Sequence, residues 1–269
     1  MKSNCLLLFI ILFMFSAQAE ENLRLADIRA LSMGNNGVMN SVFSNPALID
    51  LSTYKVAHLE YFNRYGVKEL SSINGSFQYP NSFLSAGIHL ASFGFDQYRQ
   101  NMARLMLSKR LGKHWIIGLS FQYSWLQSEL YEEVPNRLST DIGIVYYPFD
   151  KLLIGVLVKD VPSVRISSKD LNIKELKTYK VQTGFNWEVI NNLLITSFVG
   201  INEYHRVDAG FGMEYKVWNC FFMRGGIQLE PFIPSLGAGL NLKGWSLDAV
   251  ALWHPILGVS SGVGLSYSF

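Results

Sequence analysis

Apolar and polar residues alternate along most of this chain with a period of two. At the C-terminal end, Val259, Ser261, Val263, Leu265, Tyr267 and Phe269 share one face, apolar but for Ser261; Ser260, Gly262, Gly264, Ser266 and Ser268 share the other. From 207 to 216 the apolar set is Val207, Ala209, Phe211, Met213 and Tyr215, set against Asp208, Gly210, Gly212, Glu214 and Lys216. Tyr179, Val181, Thr183, Phe185 and Trp187 alternate with Lys180, Gln182, Gly184, Asn186 and Glu188. Trp115, Ile117, Leu119, Phe121, Tyr123 and Trp125 alternate with Gly118, Ser120, Gln122 and Ser124. A helix cannot imitate this over ten residues; a strand with two unlike faces does. The pattern predicts strands near 53–63, 70–79, 82–93, 101–111, 114–126, 138–147, 151–160, 177–187, 191–201, 205–216, 219–228, 233–242, 244–254 and 259–269. The first three alternate poorly, so the count is 12 or 14.

The polar face is mostly Gly and Ser, unlike the wetted face of a soluble sandwich. The apolar face is long and aromatic. Each strand has the length of a membrane-barrel strand, about 9–11 residues with apolar side chains outward. Connections support this. Those at 79–82, 111–114, 148–151, 189–191, 217–218 and 242–244 are short, while those at 64–69, 94–100, 127–137 and 161–176 are longer. Short turns on the periplasmic side and longer loops outside are the outer-membrane pattern, and an even strand count puts both termini in the periplasm. Pro80, Pro148, Pro231, Pro234 and Pro255 fall at connections or strand edges, where a missing N–H is harmless. Trp115 and Trp125 bracket one strand and Trp245 and Trp253 another, a spacing of roughly 20–25 Å along the barrel axis after tilt. That matches two aromatic girdles. The predicted fold class is all-β: a transmembrane antiparallel barrel of about 14 strands, closed by a last strand whose Tyr267 and Phe269 form the barrel-insertion signal for the assembly machinery.

Composition becomes intelligible on this reading. Hydrophobic residues make up 49% and aromatics 14%, yet beyond the first 19 residues no apolar run reaches helical membrane-span length. At the start, Lys2 precedes an apolar run from Leu6 to Phe15, then Ser16-Ala17-Gln18-Ala19 offers an A-x-A cleavage pattern. This reads as a secretory signal peptide, 1–19. The net charge of +2 carries no basic patch, so no nucleic-acid partner is expected; outer-membrane lipid is. Cys220 is the one cysteine beyond the signal, which excludes an internal disulfide or a cysteine metal site.

Residues 20–52 do not alternate. Leu23 to Leu31 suggests a short helix ended by Gly34; Gly-Asn turns and Asn45-Pro46 follow. A 14-strand barrel is wider than its own side chains fill, so this segment is positioned as an N-terminal plug, with 53–269 as the barrel. Arg29-Ala30-Leu31-Ser32-Met33-Gly34, then Gly37-Val38, then Asn45-Pro46-Ala47 resembles the N-terminal signature of an outer-membrane superfamily. That superfamily joins the FadL-like long-chain fatty-acid transporters to the PorV/PorQ proteins of type IX secretion in the Bacteroidetes. The resemblance implies a 14-strand barrel with a plug and gives Arg29, Gly34, Gly37, Asn45 and Pro46 as plug-motif residues. The stretch departs from the family at Asn35-Asn36, and the chain is short for a fatty-acid transporter.

Chemistry of catalysis is not visible. His58, His89, His114, His205 and His254 are scattered without metal-ligand spacing, and no nucleophile elbow or phosphate loop occurs. An enzyme is not expected, nor a cofactor or a metal. By phase, Arg104, Asp141, Lys180, Glu188, Arg206, Asp208, Glu214, Lys216, Arg224 and Asp248 point into the lumen, as lipid-facing charge would cost a few kcal/mol. They read as a salt-bridge lattice holding the plug, or as a lining for a permeant. Gly87 and Gly225-Gly226 are candidate marks of a bulge or wall opening. The function ranked first is a PorV/PorQ-like accessory of type IX secretion that binds exported cargo or machinery. The alternatives are a FadL-like channel for hydrophobic small molecules and a purely structural barrel.

Overall fold

A computed structural model describes residues 27–128, 136–166, 173–176 and 178–269. The expected signal peptide, 1–19, and the first residues of the expected plug, 20–26, lie outside the described residues. Strands run β1 Val56–Asn63, β2 Ser71–Tyr79, β3 Ser85–Phe95, β4 Tyr98–Leu111, β5 Trp115–Ser128, β6 Asn136–Phe149, β7 Leu152–Lys159, β8 Ser163–Ile166 and β9 Ile173–Glu175. They continue as β10 Lys180–Ile190, β11 Leu193–Asn202, β12 Val207–Trp218, β13 Phe221–Gln228, β14 Ile233–Leu242, β15 Trp245–His254 and β16 Gly258–Ser268. All strand pairings among the described residues are antiparallel. β1 pairs with both β2 and β16, and β5 with both β4 and β6, so the ring is closed. Closure leaves no open edge in the wall.

The wall has fourteen positions because β7 and β8 share one. Both lie along β6, β7 beside Ile142–Phe149 and β8 beside Asn136–Ser139. Between them the chain turns at Asp160, in the left-handed region at φ +61°, and passes through Pro162. The interruption is bridged: Val161 N donates to Thr140 O at 2.9 Å, and Thr140 N donates to Pro162 O at 3.1 Å. β9 pairs with β8 as one extra strand beyond the ring. The sequence placed only a loop at 161–176, and here the structure corrects it. Four residues of strand after a proline are too short for a period of two to register.

Outward positions carry the apolar band. On β16, Val259, Val263 and Leu265 are exposed while Ser260 is buried, and the same alternation holds on β3, β5 and β10. Trp115, Trp187, Trp218 and Trp245 stand at the rim of the short turns, Trp125 and Trp253 at the rim of the longer loops. The last residue stays at the turn rim: Phe269 N donates to Lys55 O at 3.1 Å, beside the start of β1.

Inside lies the plug. Helix α1, Ile28–Ser32, is followed by α2, Gly37–Asn40, and a 3-10 turn at Pro46–Leu51. Each begins at an Asx residue whose side chain accepts a backbone N–H: Asp27 from Ala30, Asn36 from Met39, Asn45 from Ala47. Such caps satisfy donors that a one-turn helix would leave bare. The plug is thus a chain of single capped turns, with Gly34 between the first two at φ +72°.

Candidate functional site: the plugged lumen

The plug is seated on glycines. A Cβ on Gly118 or Gly143 would meet Asn45–Ala47 of the plug inside 3.0 Å; on Gly155 it would meet Met39. On Gly210, Gly212 or Gly226 it would strike the backbone of Met33–Gly34, and on Gly237 the Ser32 side chain. Gly34 in turn fits against the carbonyls of Phe211 and Ile227. Gly118 is in register with Gly143, and Gly212 with Gly226. From β5 round to β14, then, the wall meets the plug through inward glycines, against its backbone at Gly118, Gly210, Gly212 and Gly226 and against its side chains at Gly143, Gly155 and Gly237. Gly226 therefore marks a close approach, while Gly225 faces outward in unbroken pairing with β14. Neither Gly225-Gly226 nor Gly87 opens the wall, which corrects that expectation: Gly87 stays paired on both sides, with Ile49 and Met106 packed over it.

Ions and amides hold the plug where glycine lets it approach. Arg29 donates from Nε and Nη2 to Glu214 at 3.2 and 2.9 Å. Glu214 also accepts from Arg224 Nε at 2.6 Å, and Arg224 donates onward to Asp248. Asn36 and Asn40 both donate to Thr196 Oγ1, at 2.5 and 3.0 Å, and Asn186 Nδ2 donates to Asn40 Oδ1 at 2.8 Å. Arg104 Nη1 donates to the Phe43 carbonyl at 2.7 Å and pairs with Asp141 at 2.9 Å. Near the turn rim Asp50 takes Ser85 Oγ at 2.6 Å and Arg110 Nε at 3.1 Å. At the other end of the plug, Ile28 N donates to Glu60 Oε1 at 2.9 Å, which His58 also contacts at 2.8 Å. Burial pushes the Asp27 carboxyl up despite nearby His58, and Glu214 holds the Arg29 guanidinium high.

Placed against the sequence reading, Arg104, Asp141, Glu214, Arg224 and Asp248 meet in these two networks, and Arg29 joins one of them. Asp208 pairs with Lys180 at 2.7 Å, nearer the loop rim. Glu188 and Lys216 lie half-buried near the turn rim. Arg206 does not line the lumen: it is exposed in the connection before β12, beyond the strand whose phase suggested an inward side chain. Of the plug motif, Arg29 makes the ion pair, Gly34 the close approach, Asn45 and Pro46 the seat on Gly143, and Gly37 starts α2 against Ser44. Tyr267 packs on Trp245 and Phe269 on Phe77 at the turn rim. Among the described residues no group of three or more His, Cys, Asp or Glu is placed to hold a metal ion.

From β1 to β4 the wall is built otherwise. Inward positions there carry mostly polar side chains: His58 and Glu60 on β1, Ser72, Asn74, Ser76 and Gln78 on β2, His89 on β3, Arg104 on β4. Cross-strand register sets His58, Ser76, His89, Arg104, Gln122 and Ser139 in one row. The ring of Phe43, from the plug, stacks on His89 with centroids 4.3 Å apart and meets His58 edge-on at 5.2 Å. Sequence reasoning missed this row because its histidines are scattered along the chain; aligning the first hairpins would have revealed it. Above it, Ala91, Phe93 and Met102 form a buried apolar cluster with Leu70 and Tyr98 packed against it. Arg64 lies over the Phe93 ring, 5.2 Å away, and burial lowers its pKa.

Outside, an apolar groove of about 540 Å³ runs over Ala103 between Ile88, Leu105, Phe121 and Leu138, reaching Pro162 at the interruption between β7 and β8. A second, of about 520 Å³, lies between Ile154, Trp187 and Val199.

No protein-family model and no curated protein sequence matches this chain. Solved structures do. The chain is similar to the toluene transporter TbuX of Ralstonia pickettii, with a TM-score of 0.68 at 10% identity over 91% of this chain and 98% of that one. Its likeness to the toluene transporter TodX of Pseudomonas putida has a TM-score of 0.65 at 12% identity, with the same coverage. A Pseudomonas aeruginosa FadL homologue gives 0.59 at 10% identity, covering 90% of this chain and 97% of that one. What the chain shares with these FadL-like outer-membrane channels is the closed fourteen-position barrel fold, along nearly the whole length of each.

Proposed function

We propose that this protein is an outer-membrane channel for small hydrophobic molecules, with 1–19 removed on export, both termini periplasmic and the plug resident in the lumen. The observation that carries the reading is the fold held in common with two toluene transporters across 91% of the chain. Three local features support it. The lumen is closed by a plug held through reversible contacts, not by a covalent bond. An apolar cluster, Ala91, Phe93 and Met102, lines one side of the lumen toward the loop rim. The ionic groups on the lumen face are mutually paired, Arg104 with Asp141 and Arg224 with Glu214 and Asp248, so a hydrophobic solute meets no unbalanced charge there.

The accessory of type IX secretion, ranked first on the sequence motif, has no counterpart among these likenesses, and no contact in the lumen favours it. Both readings are tested by purifying the tagged barrel from native outer membranes and identifying co-purifying proteins and small molecules by mass spectrometry. Hydrophobic small molecules without stoichiometric protein partners are expected. Exported proteins or secretion components recovered at near-equal amounts would reverse the ranking.

A further inference from the structure

Apart from Arg104, which holds the Phe43 carbonyl, the row of polar groups around Phe43 makes no hydrogen bond to the plug among the described residues. His89 is fully buried, yet among the described residues neither ring nitrogen has a hydrogen-bond partner. Its neighbours in the row repeat the condition: Ser76 Oγ, Arg104 Nε and Ser139 Oγ are buried without partners, as is Glu60 Oε2 one step along β1. Polar atoms buried in this way are rare in native proteins and each calls for a partner. A neutral imidazole offers one donor and one acceptor. A hydroxyl group is donor and acceptor at once, so it pairs with either one of the nitrogens whichever tautomer is present.

Around those atoms the surface is apolar and suits a ring. Two residues above His89 and Arg104 are Ala91 and Met102; two below are Gly87 and Met106, with Ile49 of the plug beside them. The face of the imidazole is covered by Phe43, parallel within 7°. Arg104 holds the Phe43 carbonyl, which tethers the backbone beneath the ring.

We propose that Phe43 is an aromatic placeholder, and that the slot it fills between His89 and His58 binds the ring of a small hydroxylated aromatic, a phenol, whose hydroxyl pairs with an unpartnered nitrogen of His89. The proposal rests on the channel reading and narrows its substrate class from apolar hydrocarbons to aromatics carrying a hydroxyl. The discrimination follows from the wall. A hydrocarbon entering the slot leaves both nitrogens of His89 unmet, whereas a phenol tilted so that its hydroxyl enters the imidazole plane satisfies one of them. Sites built to hydrogen-bond a hydroxyl reject the analogue lacking it far more strongly than apolar pockets reject an added one.

The test uses p-cresol and toluene, of nearly equal size, with purified barrels of the native sequence, Phe43→Ala, and Phe43→Ala with His89→Leu. Removing the phenyl ring leaves space of the kind that binds benzene when it is lined by apolar groups alone. By calorimetry, Phe43→Ala should bind p-cresol at least tenfold tighter than toluene, and His89→Leu should erase that preference while keeping toluene binding. Equal binding of both compounds by Phe43→Ala, or a preference indifferent to His89→Leu, overturns the proposal. If Phe43→Ala does not fold, uptake by intact cells carrying the native sequence or His89→Leu decides. A cresol-over-toluene preference lost in His89→Leu supports the slot; equal uptake of both by each protein defeats it and leaves the channel standing. Uptake of neither compound defeats the channel reading, and the slot with it.

Discussion

Arg29 of the plug and Glu214 of β12 face each other at 2.9 Å, 185 residues apart in sequence, with Arg224 donating to the same carboxylate from the neighbouring strand. One carboxylate thus serves both as anchor for the plug and as counter-ion for the wall. The two cations differ in setting: the Arg29 side chain is 41% exposed, that of Arg224 only 5%.

Glu214→Gln should therefore cost more than Arg29→Met. The first leaves Arg224 with Asp248 alone and strips Arg29 of its partner; a cost of about 2–4 kcal/mol is expected for disturbing a buried cation in this way. The second removes a cation already half in solvent, about 0.5–1 kcal/mol after screening. Thermal unfolding followed by heat-modified gel mobility orders the two, and equal shifts would contradict the assignment.

Substitutions at the seat should open the barrel without unfolding it. Gly143→Ala and Gly226→Ala each drive a methyl group into the plug, whereas Gly75→Ala and Gly225→Ala meet nothing nearer than 3.9 Å. Single-channel recording is expected to show raised conductance for the first pair and native conductance for the second. Raised conductance in both pairs would sever the link between glycine and plug.

Acidity should tighten the first turn of the plug. Burial raises the pKa of Asp27 above its unfolded value, so the folded state binds this proton more strongly. Its contribution is fully present below the ordinary carboxylate pKa and is lost as pH rises through the raised one. Asp27→Asn keeps an N-cap acceptor and cannot titrate. The native-minus-Asn difference in stability should fall as pH rises across that window, and a difference that grows would reverse the sign.

Removing Phe269 should lower the amount of assembled barrel. Its ring packs against Phe77 and Tyr267, and its backbone donates to Lys55 where the last strand meets the first. Outer-membrane fractionation should show less inserted protein, with native melting for what does insert. Undiminished insertion would remove Tyr267 and Phe269 from any signalling role.

Most of the wall was legible because lipid on one side and a small-residue lumen on the other impose strict alternation, as on β10, β12 and β16. The first strands alternated poorly for a visible reason. Their inward side carries Phe62, His89 and Phe93, and their outward side includes Gly75 and Ser92, so size and polarity do not sort by face. The helix end at Gly34 could be read from local chemistry. Inward glycines were visible too, but that they form a seat depends on how deep each plug turn sits, which no local pattern encodes. The contact between Phe43 and His89 was hidden for the same reason: a plug residue can be paired with a wall residue only once both heights are known. Arg206 failed because phase was carried one residue past the end of its strand.

Passage of small hydrophobic molecules is read most directly from the initial rate of radiolabelled toluene uptake by intact Gram-negative cells lacking other such channels. The lipopolysaccharide leaflet must be present, since toluene crosses plain phospholipid unaided. Cells making this barrel should take up toluene or p-cresol several-fold faster than cells with an empty vector at equal outer-membrane integrity. Rates indistinguishable from the vector for both compounds, with the barrel demonstrably inserted, would contradict the account.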